Sequence, residues 1–550
     1  MTTNQIENAW IMFKQVDNLS HISYNESIPQ TQHYGVLNIQ LPKIEITEEP
    51  IIIHFMVDES GSMVEPSTEF KMSQTKMELV QQTIINMLNY IAENTKNVYV
   101  QVSGFDHKIR TYINPTKITK DNIDENINII KTMKPMHLTD IGLALDTLNQ
   151  KMNNQEQEIN LPNNRRVGIF LTDGYASTGV TVPKILSTKV CLDKSINFIA
   201  LGDSHDANLM NTLGDTNEIT SNWFISNVEH IGNVYGEILF NELYRVLESV
   251  LLTVDNGKIY DYKTNTMVDQ LKIGNLSSET NKNYHIISEN IDECIVKISG
   301  IDANTNAIYN IEASDLPPLI PGNATKSEYN NPNYIDIHYL RLCVQQIMAD
   351  ARLNQESYIE QSMNPLNLKK QYNGQITRQY NGQITRQYNG QYDMGYDDKY
   401  DMGYDDKYDM GYDDKYDDNN IFNNILPLEP QLPLPLSLPL RLPLPSGQIK
   451  LNKLIQDIDQ YILDNKLDNN LILIGLKDDL TVIKHTIGTC NYLKHGFARE
   501  CSQGSQTTCN TINEIPELFN INEPTPLSRN TTSAYATPGK TEIMRIISNQ

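Results

Sequence analysis

Positive charge is scarce in this sequence: 44 Lys and Arg stand against 68 Asp and Glu in 550 residues, a formal net charge of −24. A nucleic-acid or anionic-membrane binder needs a basic footprint to displace counterions or reach anionic lipid, so neither partner is expected. Long apolar runs are missing as well. Nothing approaches the ~20 residues that cross a bilayer, so no membrane insertion is expected. The opening "MTTNQIENAWIMFKQ" has no basic start ahead of a long apolar core and does not read as a secretory signal. Cysteine is sparse, at 191, 294, 343, 490, 501 and 509 with no CxxC, which fits a reducing compartment better than a disulfide framework. The expected setting is intracellular and cytoplasmic, with a virion as the other open setting. The phosphate loop GxxxxGK[ST] and the zinc-protease pattern HExxH are both absent. No nucleophile is patterned with a base and an orienting group, so no enzyme is expected.

What is present divides into unlike parts. Short apolar runs at 51–57, 98–104, 166–171, 197–201 and 222–226 alternate with helical patterns, the clearest placing Val80, Ile84, Met87, Leu88 and Ile91 on one stripe. Continuous apolar strands alternating with amphipathic helices predict a doubly wound, Rossmann-like α/β domain with a mostly parallel sheet, over 49–235. From 236 to 320 the rhythm shortens to alternating strands between Asn, Asp and Gly turns, which predicts a small β-sandwich. The segment 1–48, with "YGVLNIQLP", is expected to add a strand to it. A helical domain is read over 333–364 and 448–515, split by an insert at 365–447, with a tail over 516–550. The insert holds "QYNGQITR" at 371 and 379, then "YDMGYDDK" from 392, 400 and 408, and finally a Leu-Pro tract from 426. The charged repeats predict a disordered chain, and the prolines a stiff polyproline II spacer.

The chemistry gathers in three loops. In a doubly wound sheet, the loops beyond the carboxyl ends of the strands meet at one crevice. Here "DESGS" follows the first strand, "HLTD" precedes a helix at 140, and "LTDG" follows the strand at 166–171. Asp58, Ser60, Ser62, Thr139 and Asp173 therefore converge although the chain separates them. All five offer oxygen. Two carboxylates with three hydroxyls suit a hard divalent cation, Mg²⁺ or Mn²⁺, and leave it able to accept one more carboxylate from a protein partner. That is a binding site and not a catalytic one. Cys490, His495, Cys501 and Cys509 are too irregularly spaced for structural zinc and read as buried or idle thiols.

The ordered triple of "DESGS", the Thr of "HLTDIGLAL" and "LTDG" resembles the metal-ion-dependent adhesion site of von Willebrand factor type A domains. The resemblance implies that Ser60, Ser62 and Thr139 offer hydroxyls to the metal, and that Asp58 and Asp173 hold it directly or through water. Further along, "CNYLKHGFARECSQGSQTTC" and "YATPGKTEIMRIIS" are similar to a group of intracellular eukaryotic proteins that includes plant RING-type ubiquitin ligases. The first 50 residues contain no cysteine, so the zinc-binding RING of those ligases is not expected here. The leading expectation is a metal-dependent adaptor or scaffold. A substrate-binding component of a ubiquitin-ligase system and an assembly protein driven by the repeats are the alternatives.

Overall fold

The structure, a computed structural model, describes residues 8–16, 32–46, 49–66, 74–153, 164–202, 205–225, 231–313, 332–363, 445–487, 492–508 and 533–549. Met1–Gln355 and Arg441–Gln550 form one compact unit, to which everything below belongs except the helical residues 356–363. The octapeptide repeats and nearly all of the Leu-Pro tract lie outside the described residues.

Along the chain, β1 (Asn8–Gln15) and β2 (His33–Gln40) come first and pair antiparallel. Then follow β3 (Ile51–Asp58), α1 (Lys76–Asn94), β4 (Val98–Phe105), β5 (Ile109–Lys117), α2 (Ile123–Ile130), α3 (Ile141–Asn153), β6 (Arg165–Thr172), α4 (Pro183–Ser187), β7 (Ser195–Leu201), α5 (Ala207–Gly214), β8 (Thr220–Ile225) and α6 (Ile231–Leu243). From β3 onward these strands form one sheet in the order β5-β4-β3-β6-β7-β8, parallel throughout except for β5. The expected Rossmann-like sheet is present, and β3 lies inside it with all eight residues buried. Side chains alternate across a strand. Ile51, Ile53, Phe55 and Val57 share a core with Val80, Ile84 and Leu88 of α1, while Met56 joins Phe170, Phe198 and Leu148 of α3 in another. Burial on both faces is why β3 reads as an unbroken apolar run. Thr75 starts α1 with a capping box, its side chain accepting from the Glu78 amide while Glu78 accepts from the Thr75 amide. Such caps contribute about 1 kcal/mol.

The β-sandwich combines β1 and β2 with β9 (Arg245–Asp255), β10 (Lys258–Asp261), β11 (Thr266–Val268), β12 (Gln270–Ser277), β13 (Asn281–Ser288), β14 (Ile295–Asp302) and β15 (Ile308–Glu312). Its sheets run β1-β2-β13-β10-β11 and β12-β9-β14-β15. The amino-terminal segment thus supplies two strands. Helix α6 continues past residue 235 to Leu243, and only at Arg245 does the chain turn into β9.

Among the described residues five α-helices follow, α7 (Tyr334–Met363), α8 (Pro445–Asn465), α9 (Leu471–Thr486), α10 (Phe497–Ser505) and α11 (Pro538–Asn549). Leu340, Val344 and Met348 of α7 share a core with Leu454 and Ile458 of α8 and Leu476 and Leu480 of α9, together with Trp10 and Tyr34 from the sandwich. The helices on either side of the insert are therefore one packed body. Helix α8 begins at Pro445, inside the segment read as spacer, since the amide that proline lacks is unpaired at a first helical turn anyway. The carboxyl-terminal segment is also more than a tail. Ile543 and Ile547 of α11 enter the core that α1 and α6 share, and the Asn86 side chain donates to the Ile547 carbonyl at 2.7 Å. Among the described residues no helix is long and apolar enough to cross a membrane.

Candidate metal centre

Strand β3 ends at Asp58, and the chain turns at once through a short 3-10 turn, Gly61–Val64. The Ser60 amide donates to Asp58 Oδ1 at 2.7 Å, so the carboxylate fixes the turn that follows it. Ser60 Oγ and Ser62 Oγ lie 3.0 Å apart, and Ser62 Oγ donates to Asp173 Oδ1 at 2.6 Å. Asp173 follows the end of β6. The preceding residue, Thr172, donates its hydroxyl to Asp58 Oδ2 at 2.5 Å, tying the ends of β3 and β6 together a second time. Both carboxylates are fully buried.

The third loop is held by backbone. The Gly61 amide donates to the His137 carbonyl at 3.0 Å, and the Met136 amide to the Glu59 carbonyl at 2.6 Å. Thr139 is buried; its amide donates to Ser177 Oγ at 2.8 Å and its carbonyl accepts from the Ser177 amide at 2.9 Å. Among the described residues the Thr139 hydroxyl has no hydrogen-bond partner. The structure thus links Asp58, Ser60, Ser62 and Asp173 through direct hydrogen bonds and brings the loop of Thr139 against theirs.

Several residues around the centre were not singled out from the sequence. Lys76, at the start of α1, is buried, and its ammonium donates to Asp173 Oδ2 at 2.8 Å and to Glu65 Oε2 at 2.6 Å. A cation at a helix amino terminus opposes the helix dipole, so a Lys in that position after a DxSxS loop was the available signal that a carboxylate waits for it. Glu59 points away from Asp58, as alternation requires, and accepts from Tyr112 at 2.6 Å and Arg110 at 2.9 Å. Arg110 also donates to Asp106 Oδ2 at 2.7 Å, and the Asp106 carbonyl accepts from the Asp140 amide at 2.8 Å. This layer under the site ties β5 to the loop of Glu59 and, through Asp106, to the loop of Asp140.

Electrostatics follow from burial. The Asp58 carboxyl is pushed up to about 6, chiefly by burial and then by the neighbouring Asp173 charge, against hydrogen bonds from Thr172 and Ser60. Burial alone would lower the Lys76 ammonium, but Asp173 and Glu65 outweigh it and the net shift is upward. His54, the one histidine near the loop in sequence, lies within β3 bonded to Gln101 Oε1 at 2.6 Å, and burial holds it down to about 3. It is a neutral core residue.

Residues 53–237 match the von Willebrand factor type A domain. That segment is a von Willebrand factor type A domain. Among solved structures the chain is similar to a von Willebrand factor type A protein from Catenulispora acidiphila, with 12% identity and a TM-score of 0.41 over 66% of this chain and 89% of that one. It is also similar to the ArnB paralog VWA2 from Sulfolobus acidocaldarius, with 13% identity and a TM-score of 0.36 over 64% of this chain and 88% of that one. No curated protein matches the chain in sequence.

Domains of this type often hold a divalent metal at these loops, and the donors present fit one. Two carboxylates balance a divalent charge, the hydroxyls of Ser60 and Ser62 stand beside them, and that of Thr139 is not engaged elsewhere. Among the described residues no set of three or more His, Cys, Asp or Glu side chains gathers to hold a metal. The type A centre is consistent with that, because three of its five donors are hydroxyls.

The rim of the centre is apolar. Val64, Met136, Leu138 and Tyr175 sit on its three loops with 62%, 41%, 53% and 50% of their surface exposed. In the carboxyl-terminal motifs, by contrast, the described side chains serve packing. Gln503 donates to Asp479 at 2.6 Å and accepts from Tyr535 at 2.6 Å, and Gln506 bonds the backbone of Asn283 in both directions. His495 is buried and Cys501 is a free thiol, while Cys490 and Cys509 lie outside the described residues.

Proposed function

We propose that the type A domain is a divalent-metal-dependent protein-binding module, that Asp58, Ser60, Ser62, Thr139 and Asp173 hold Mg²⁺ or Mn²⁺, and that the whole chain acts as an adaptor or scaffold without catalysis of its own. The observation that carries this reading is the juxtaposition of a buried oxygen-donor set with four exposed apolar side chains on the same loops. Exposed large apolar groups clustered beside a polar centre mark interaction surfaces. Asp58 and Asp173 supply the negative charge, the three hydroxyls supply neutral oxygens, and the Glu59–Arg110–Tyr112 layer keeps the loops in register. A bound metal would supply Lewis-acid attraction for a carboxylate presented by the partner. Around that contact, Val64, Met136, Leu138 and Tyr175 would exclude water and strengthen the ion-to-carboxylate attraction.

The test is capture of partners by the full chain in Mg²⁺ and in EDTA, with Asp173→Ala alongside. Partners retained in Mg²⁺ and released both by EDTA and by the substitution support the reading. Retention in EDTA, or equal retention by the variant, overturns it.

A further inference from the structure

A cleft of about 200 Å³ lies where β8 of the type A domain, β13 of the sandwich and the helical body meet. Strand β13 pairs with β2 along its whole length but with β10 only at Ile286 and Ile287. From Lys282 to His285 no strand among the described residues pairs with this edge; Gln506 and Arg341 bond the Asn283 backbone instead, and the stretch lines the cleft.

The charges on this wall do not balance. Most of its cations have carboxylates: Arg245 pairs with Glu242 and Glu248, Lys540 with Glu237 at 3.0 Å, and Lys272 with Glu218 at 3.6 Å. Arg341 and Lys282 have none. Arg341, 1% exposed, commits its two terminal nitrogens to the Asn283 and Gln503 carbonyls at 3.1 and 2.5 Å, leaving its buried Nε–H without an acceptor. The Lys282 side chain makes neither a hydrogen bond nor an ion pair among the described residues. Burial, then the charges of Lys540 and Arg341, hold its ammonium down to about 8 although Glu237 pulls the other way. Two more buried donors on the wall, Arg245 Nε and Asn197 Nδ2, also lack acceptors. In a chain of net charge −24, this is a concentration of unanswered positive charge and N–H groups.

Buried donors without acceptors are costly, and charged ones more so, unless a ligand answers them. An acceptor-rich anion does so, and phosphate oxygens are matched by Arg and Lys together. The Asn222 Oδ1 atom on the same wall is an acceptor without a donor, which a hydroxyl could supply. The volume is small beside drug-sized pockets, so the ligand is small. We propose that this cleft binds a small phosphate-bearing molecule, with Lys282 and Arg341 as its charge partners. The site is independent of the metal centre and of the function proposed for it.

The experiment uses the full chain with three probes, namely inorganic phosphate, pyrophosphate and ribose 5-phosphate, each against chloride at equal ionic strength. Thermal melting and calorimetric titration are the readouts. At least one probe should raise the melting temperature above the chloride control, and Lys282→Met should weaken its binding about tenfold or more, the scale of one charge-assisted contact. In phosphate-free buffer Lys282→Met should melt no lower than the wild type, because it removes an unpaired half-buried charge and keeps the stem. That control separates lost binding from lost fold. Tighter binding of ribose 5-phosphate than of pyrophosphate assigns the hydroxyls a role, and the reverse order assigns recognition to phosphate alone. The proposal is overturned if no probe shifts melting beyond chloride, or if Lys282→Met binds the probe as the wild type does.

Discussion

The Lys76 ammonium lies 2.8 Å from Asp173 Oδ2 and 2.6 Å from Glu65 Oε2, so the chain places a cation of its own against a carboxylate of the proposed metal centre. Lys76 and Asp173 are both buried, where charges are weakly screened. Two unit charges 4 Å apart repel by about 4 kcal/mol at an effective dielectric of 20, so the ammonium and a divalent ion oppose each other. Lys76→Met should therefore tighten Mn²⁺ binding by about tenfold or more in calorimetric titration. The same change should lower the melting temperature of metal-free protein, since it strands the buried Asp173 charge, a loss of about 3–5 kcal/mol when one partner of a buried pair is removed. Equal Mn²⁺ affinity in both proteins would show that Lys76 has only a structural role.

Metal affinity should also depend on acid. With the Asp58 carboxyl at about 6, the folded chain holds that proton over a range where an unfolded chain, near the ordinary value of 3.8, does not. Metal must displace the proton, so Mn²⁺ affinity should be level above about pH 7 and fall about tenfold per unit below about 6. In metal-free protein the sign for stability is the reverse. Between about pH 4 and 6 the folded state binds the extra proton, so this group's contribution grows as pH falls through that window and is flat above it. Titrations at pH 5 to 8 with Asp58→Asn as control decide the matter, and level affinity down to pH 5 would place the proton elsewhere.

The parallel strands were legible in the sequence because both faces of each are buried and the apolar runs are unbroken. The meeting of Asp58, Ser60, Ser62 and Asp173 was legible because the ends of β3 and β6 carry polar residues in a fixed order. Strand β5 was not, since its edge position leaves it half exposed and Pro115 interrupts its pattern. With β5 went Arg110 and Tyr112, and so the brace under Glu59. Helix α11 was missed for another reason. Its partner surface is built from glycines, Gly232 and Gly236, whose significance lies in the backbone they admit, and a residue pattern carries no record of that.

This close approach can be tested. A Cβ added at Gly236 would lie 2.7 Å from Met544 Cα, and one at Gly232 would lie 2.8 Å from Ser548 Cα. Backbone on the far side cannot rotate away, so Gly236→Ala should destabilise by about 1–3 kcal/mol, the usual range for overpacking. Alanine favours a helix by itself, so any loss must come from the contact. Hydrogen exchange should locate the effect in 538–549 and the facing side of α1. Unchanged protection there would mean that α11 is not docked through this surface.

The last prediction separates holding a metal from holding a partner. Leu138 is 53% exposed, one residue from Thr139, on a loop that backbone hydrogen bonds fix to Glu59 and Gly61. Leu138→Asp touches no donor and adds a charge only at the surface, so melting temperature should move by no more than about 0.5 kcal/mol in stability terms. Mn²⁺ affinity should hold or rise slightly, because the new carboxylate is negative and near. Partner capture in Mg²⁺ should nevertheless fall by about tenfold or more, since a charge placed in the apolar rim must be desolvated on docking and repels an approaching carboxylate. Affinity capture of wild type and variant at equal metal occupancy makes the comparison. If the variant retains partners as well as the wild type does, the apolar rim is not the docking surface, and metal coordination alone must account for whatever is bound.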